Sequence, residues 1–150
     1  MTGIAEQYPD LESDVYSEYS CKVKGIIDFY GPTDISQMNK VPSTMDHILP
    51  ESPEGMLIGG FNVLENMQKV APTIYMNYVS EDVSIPPVLI FHGNKDRLVP
   101  FEQSILFYRQ LKSKGKEVEF YQLKGADHGG ADFWTEEVLN IIDEFSRKCR

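Results

Sequence analysis

Cysteine is nearly missing from the 150 residues: only Cys21 and Cys149 occur, near opposite ends of the chain. Neither belongs to a CxxC pair or stands at ligand spacing from a histidine, so the sequence implies neither a disulfide framework nor a zinc site. No apolar run approaches the ~18 residues that suggest a membrane span. Positive charge is scarce as well. Fourteen Lys plus Arg face 23 Asp plus Glu, for a net charge of -9, which repels phosphate backbones and anionic membrane surfaces. Neither GxGxxG nor GxxxxGK[ST] is present, so no phosphate cradle is offered and no nucleotide or other cofactor is implied. Residues 1–20 have no basic-then-apolar signal; they carry Glu6, Asp10, Glu12, Asp14 and Glu18 without a Lys or Arg and read as a solvated surface. The missing signal tilts the compartment toward the cytoplasm, weakly, because Met1 could be internal to a longer gene product.

What is present is globular: 41% hydrophobic, 11% aromatic and 25% charged, enough for a core of one domain. Val23 to Tyr30 is apolar and β-branched and closes on Gly31-Pro32, which predicts a strand ending in a turn. Residues 33–60 hold Pro42, Pro50 and Pro53 with little periodicity, an irregular excursion with short helical turns. Val63, Leu64, Met67 and Val70 predict a helix over 61–71 that stops before Pro72 and packs on a sheet face. Val88 to Phe91 is apolar at every position, as in a strand covered on both faces. Phe101, Ile105, Tyr108 and Leu111 predict a helix between Pro100 and Gly115. A third strand follows at Val118 to Leu123, and a last helix behind Thr135 as N-cap. Strands alternating with helices predict an α/β/α arrangement around a parallel sheet of about three strands.

In such a sheet, functional groups gather past the carboxyl ends of the strands. Those three loops contain Gly31-Pro32-Thr33-Asp34, His92-Gly93-Asn94-Lys95-Asp96 and Gly125-Ala126-Asp127-His128-Gly129-Gly130. Asp96 and His128 stand out as an acid and an imidazole in adjacent loops, the pair needed to orient and charge a general base. They lack a third ligand for a metal. Asp34 reads as a helix N-cap, Asp127 as loop structure and His92 as a strand-end packing residue at the mouth of the sheet.

The run Pro87-Val88-Leu89-Ile90-Phe91-His92-Gly93 with Asp96 and Val99-Pro100, then Gly125-Ala126-Asp127-His128-Gly129, resembles the C-terminal half of α/β-hydrolase esterases and lipases. The branch it is most similar to is the feruloyl or acetyl-xylan esterase-like one (BD-FAE-like). Residues 23–34 and Ala71-Pro72-Thr73-Ile74-Tyr75 extend the resemblance over nearly all of the chain from Val23 onward. It implies that Asp96 is the acid and His128 the base of a Ser-His-Asp triad, and that the three strands are the sixth to eighth of eight. Met45, His47, Leu49 and Met56 would then line an acyl or leaving-group pocket, or else lie on a mobile surface loop.

One part of that pattern is absent. No serine is flanked by glycine at both two residues before and two after, so the GxSxG elbow of the fold is missing. Ser36 and Ser43 lie in the excursion, Ser104 within a predicted helix, and Ser13, Ser17, Ser20 and Cys21 ahead of the first strand. The expectation is therefore that residues 1–150 are the C-terminal portion of one α/β-hydrolase domain, with Met1 to Ala5 ending the helix after the elbow and the nucleophile upstream. A carboxylic ester hydrolase of small-molecule or carbohydrate esters, inactive as this chain alone, is the reading. Its competitor is a non-catalytic assembly module. If the first strand has no neighbour on its outer side, residues 23–30 present an open apolar edge, which predicts self-association or pairing with a partner fragment.

Overall fold

The computed structural model describes Gln7, Tyr8, Val15 and residues 18–150. The readings of the acidic N-terminal stretch, of Met1 to Ala5 and of Ser13 and Ser17 fall wholly or largely outside these residues.

Three strands, β1 (Ile26–Phe29), β2 (Val88–Gly93) and β3 (Val118–Leu123), form a parallel sheet in that order. The register pairs Ile26 with Val88 and Phe29 with Phe91 on one side of β2, and Val88 with Val118 on the other. The central strand is buried at all six positions, which is why it reads as an unbroken apolar run instead of an alternating one.

Alternation nonetheless sorts its side chains between two layers. Val88 and Ile90 face a core shared with Val118 and with Phe107, Tyr108 and Leu111 of the helix α3 (Glu102–Ser113). Leu89 and Phe91 face the opposite core, built with Val138, Ile141, Ile142 and Phe145 of the helix α4 (Glu136–Lys148). Thr135 caps α4 by accepting from the Val138 amide. The Phe29, Phe91 and Tyr121 rings stack in series across the three strands beneath that helix, at centroid separations of 5.5 and 5.4 Å.

The excursion makes a small core of its own. Ile35, Ile58, Val63 and Val70 are buried together with partial cover from Ile48 and Ile74. Asp34 caps the 3-10 helix Ile35–Lys40 through its side chain, as its position suggested. Two short helices follow, α1 (Pro53–Leu57), capped by Ser52, and α2 (Met67–Val70).

The helix expected over 61–71 is thus shortened to its last turn, and its apolar side packs on the excursion, not on the sheet. The Asn62 carboxamide accepts the amides of Leu64 and Glu65, and this local side-chain turn competes with helix until Asn66. Pro72 does not end the segment either. It sits in the 3-10 turn Ala71–Thr73, at a first-turn position where a missing N–H costs nothing.

Candidate active site

Two loops leave the carboxyl ends of β2 and β3 and are stitched together. Asn94 N–H donates to Leu123 O, Lys95 N–H to Ala126 O, and Gly125 N–H to the Asn94 side chain. Gly93 permits the crossing. A Cβ there would run into the carbonyl oxygens of Ala126 and Asp127, so only glycine lets the second loop lie against the end of β2. Asp127 extends the seam by accepting from the Arg97 backbone and guanidinium and from His128 N–H. Those bonds hold its carboxyl down at about 2.

The seam brings Asp96 and His128 into contact. Asp96 Oδ2 accepts from His128 Nδ1 at 2.8 Å, while Oδ1 accepts the amides of Leu98 and Val99, both at 2.8 Å. The Asp96 side chain is fully buried and that of His128 is 29% exposed. Burial pushes the Asp96 carboxyl up, but hydrogen bonds from His92, His128, Leu98 and Val99 together outweigh it and hold the group below the usual carboxylate range. An ionised carboxylate against Nδ1–H leaves Nε2 as the basic atom, and Nε2 has no hydrogen-bond partner among the described residues. That is the arrangement a general base requires.

His92 does more than pack at the strand end. Its Nε2 lies 3.2 Å from Asp96 Oδ2 and 3.0 Å from Val99 O, and its Nδ1 lies 2.7 Å from Ser104 Oγ, all within a fully buried environment. Two acceptors at Nε2 require the proton there, so Nδ1 accepts from the Ser104 hydroxyl. Asp96 is therefore shared between two imidazoles. The spacing of four residues from His92 to Asp96 was the available signal. It acquires meaning only once the turn after Gly93 folds the loop back over the strand end.

The other singled-out residues do not join this cluster. His47 is 1% exposed, with Nε2 2.9 Å from both Ser43 Oγ and Leu98 O and Nδ1 3.0 Å from the buried Glu54 carboxylate. Nε2 thus ties the excursion to the Asp96 loop through Leu98 O, while Nδ1 faces the Glu54 carboxylate with no hydrogen-bond partner among the described residues. Met45, Leu49 and Met56 are exposed. Met45 borders a shallow surface depression with Asn39 and residues 41–46, which does not include Asp96 or His128. Ser36 and Ser104 have their hydroxyls bonded to Asp34 and His92. Among the described residues no group of three or more His, Cys, Asp or Glu could hold a metal ion, and no helix is long and apolar enough to cross a membrane.

The chain is similar to several known proteins. The BD-FAE family model matches residues 1–111. The mouse acylamino-acid-releasing enzyme is 29% identical over 130 residues, covering 87% of this chain and 16% of that protein. Among solved structures, a truncated carbohydrate esterase from gut microbiota superposes with a TM-score of 0.75 at 27% identity, covering 89% of this chain and 45% of that one. A bifunctional GH43-CE protein of Bacteroides eggerthii gives 0.73 at 28% identity, covering 91% and 18%. The chain thus spans less than half the length of each.

Proposed function

From the chain's membership of the BD-FAE family, whose members are esterases of the α/β-hydrolase fold, we propose that Asp96 and His128 are the acid and base of a Ser-His-Asp ester hydrolase. The observation that carries this is the 2.8 Å contact between buried Asp96 Oδ2 and His128 Nδ1, with Nε2 turned away and open. In the reaction, a serine hydroxyl gives its proton to Nε2 while its oxygen adds to the ester carbonyl. Asp96 steadies the imidazolium, which then protonates the departing alkoxide to leave an acyl-enzyme and an alcohol. Water repeats the sequence, and the carboxylic acid leaves with the serine restored. His92 and the amides of Leu98 and Val99 keep Asp96 ionised and fixed in place.

The nucleophile is proposed to come from the part of the fold that these residues do not cover. Lack of a GxSxG elbow in the sequence supports this, as does coverage of only 45% of the truncated carbohydrate esterase. The residues 1–150 alone would then be inactive, since removing the nucleophile from a serine protease costs about 10⁶ in turnover. Carboxylic esters of carbohydrates or small molecules are the substrate class that the names of the relatives support: carbohydrate esterase and isoprenylcysteine alpha-carbonyl methylesterase. A fluorophosphonate probe tests the assignment. It should label no residue of this chain, and a stoichiometric adduct on any serine or on Cys21 would overturn it.

Self-association is proposed to run along β1. Ile27 of β1 is 37% exposed, Val23 just ahead of the strand is 38% exposed, and among the described residues β1 pairs only with β2. An open apolar edge of this kind is a template for a further strand.

A further inference from the structure

Tyr30 is the one described residue other than glycine with a positive φ, at 47°. The left-handed region is unfavourable for any side chain with a Cβ and more so for a bulky one. Strand pairing runs right up to it, since Tyr30 N–H donates to Phe91 O at 2.9 Å. The backbone then reverses abruptly and carries the phenol ring over the end of the sheet. There it meets His128, with ring centroids 4.3 Å apart and planes inclined at 54°. Phe133 supports it from the side with an edge contact at 4.9 Å. Gly129, next to His128, makes room: its φ is +73°, and a Cβ there would lie 3.3 Å from the Tyr30 hydroxyl. Strain of this kind persists only where the surroundings hold it, and it gathers at functional sites.

We propose that Tyr30 is a positioning residue whose ring fixes the plane of the His128 imidazole, keeping Nδ1–H on Asp96 and Nε2 outward. One hydrogen bond fixes a point on the imidazole and leaves the ring free to swing about it or to turn over. A second aromatic ring packed against it at a tilt restricts that freedom. The left-handed backbone is what delivers the ring to this place, because an extended residue at this position would continue the line of the strand. The proposal rests on the assignment of Asp96 and His128 made above.

The test reads the imidazole directly in the full chain, without an ester substrate. Ring ¹⁵N shifts of His128 are recorded by long-range ¹H–¹⁵N correlation at about pH 9, where an ordinary histidine is neutral. The wild type and Tyr30→Phe should show a single Nδ1–H tautomer. Tyr30→Gly, which relieves the backbone and removes the ring, should show a mixture of both tautomers while keeping a cooperative thermal transition. If it does not fold, Tyr30→Asn, which also tolerates the left-handed region, replaces it with the same expected loss. Retention of a single Nδ1–H tautomer in the Gly or Asn variant overturns the proposal, as does its loss in Tyr30→Phe. A mixture already in the wild type would instead overturn the Asp96–His128 assignment beneath it, so the two failures are distinguishable.

Discussion

Replacing Asp96 by asparagine changes one atom of the site and should destabilise the fold in a way whose pH dependence identifies the cause. The carboxylate takes four donors: Oδ1 holds the amides of Leu98 and Val99, and Oδ2 holds His128 Nδ1 and His92 Nε2. In Asp96→Asn the carboxamide can keep the first pair on its carbonyl oxygen. Its NH₂ then faces two ring nitrogens that were donors, and with the side chain fully buried no solvent relieves the mismatch. Hydrogen bonds to a charged group contribute ~1.5–3 kcal/mol each. His92 retains Val99 O as an acceptor and His128 can change tautomer, so the net loss should be about 3 kcal/mol. For a domain of this size that lowers Tm by roughly 6–12 °C. Because the folded carboxyl lies below its ordinary value, its contribution is complete above about pH 4, and it is lost as pH falls through the lowered value. Thermal melts of both proteins from neutral to acidic pH should therefore converge in acid. An unchanged Tm at neutral pH, or a gap that widens in acid, would show that the Asp96 carboxylate does not stabilise the fold through these four donors. The same change also forces His128 toward the wrong tautomer, which cost about 10⁴ in turnover in a serine protease.

Asp28 should behave with the opposite sign. Burial raises its carboxyl, only partly offset by the hydrogen bond from the Gly31 amide, so its ionisation opposes folding as pH rises above the unfolded value. Asp28→Asn keeps an acceptor for Gly31 and should be at least as stable as the wild type in urea melts at neutral pH, with any advantage vanishing below about pH 4. Ile27→Lys places a charge on the exposed edge of β1 and should reduce self-association in light scattering; equal scattering from both proteins would count against pairing through that edge.

Strand and helix order was legible because burial imposes local patterns. β2 is apolar throughout since both its faces are covered, and α3 and α4 carry apolar residues at helical spacing above two separate cores. The contact between Asp96 and His128 was legible for a topological reason: consecutive parallel strands that pair as neighbours bring their terminal loops together. The 61–71 segment misled because its apolar spacing does serve burial, in the excursion core, while the Asn62 side chain takes the amides that a longer helix would have left at its N-terminus. The burial of His47 was not legible, because nothing nearby in sequence announces that Leu98 O and Glu54 lie against its ring.

Local patterning was enough to read off the layers, the order of strands along the chain and the placement of Asp96 and His128 at two strand ends, because periodicity and turn chemistry act over a few residues. That His92 shares Asp96, that His47 is buried, and that Tyr30 packs on His128 in a left-handed conformation follow only from the folded arrangement. Those outcomes depend on which atoms meet after the loops fold back across the sheet. Hydrogen-bond satisfaction and close packing in that space, not residue type, assign each ring its partners.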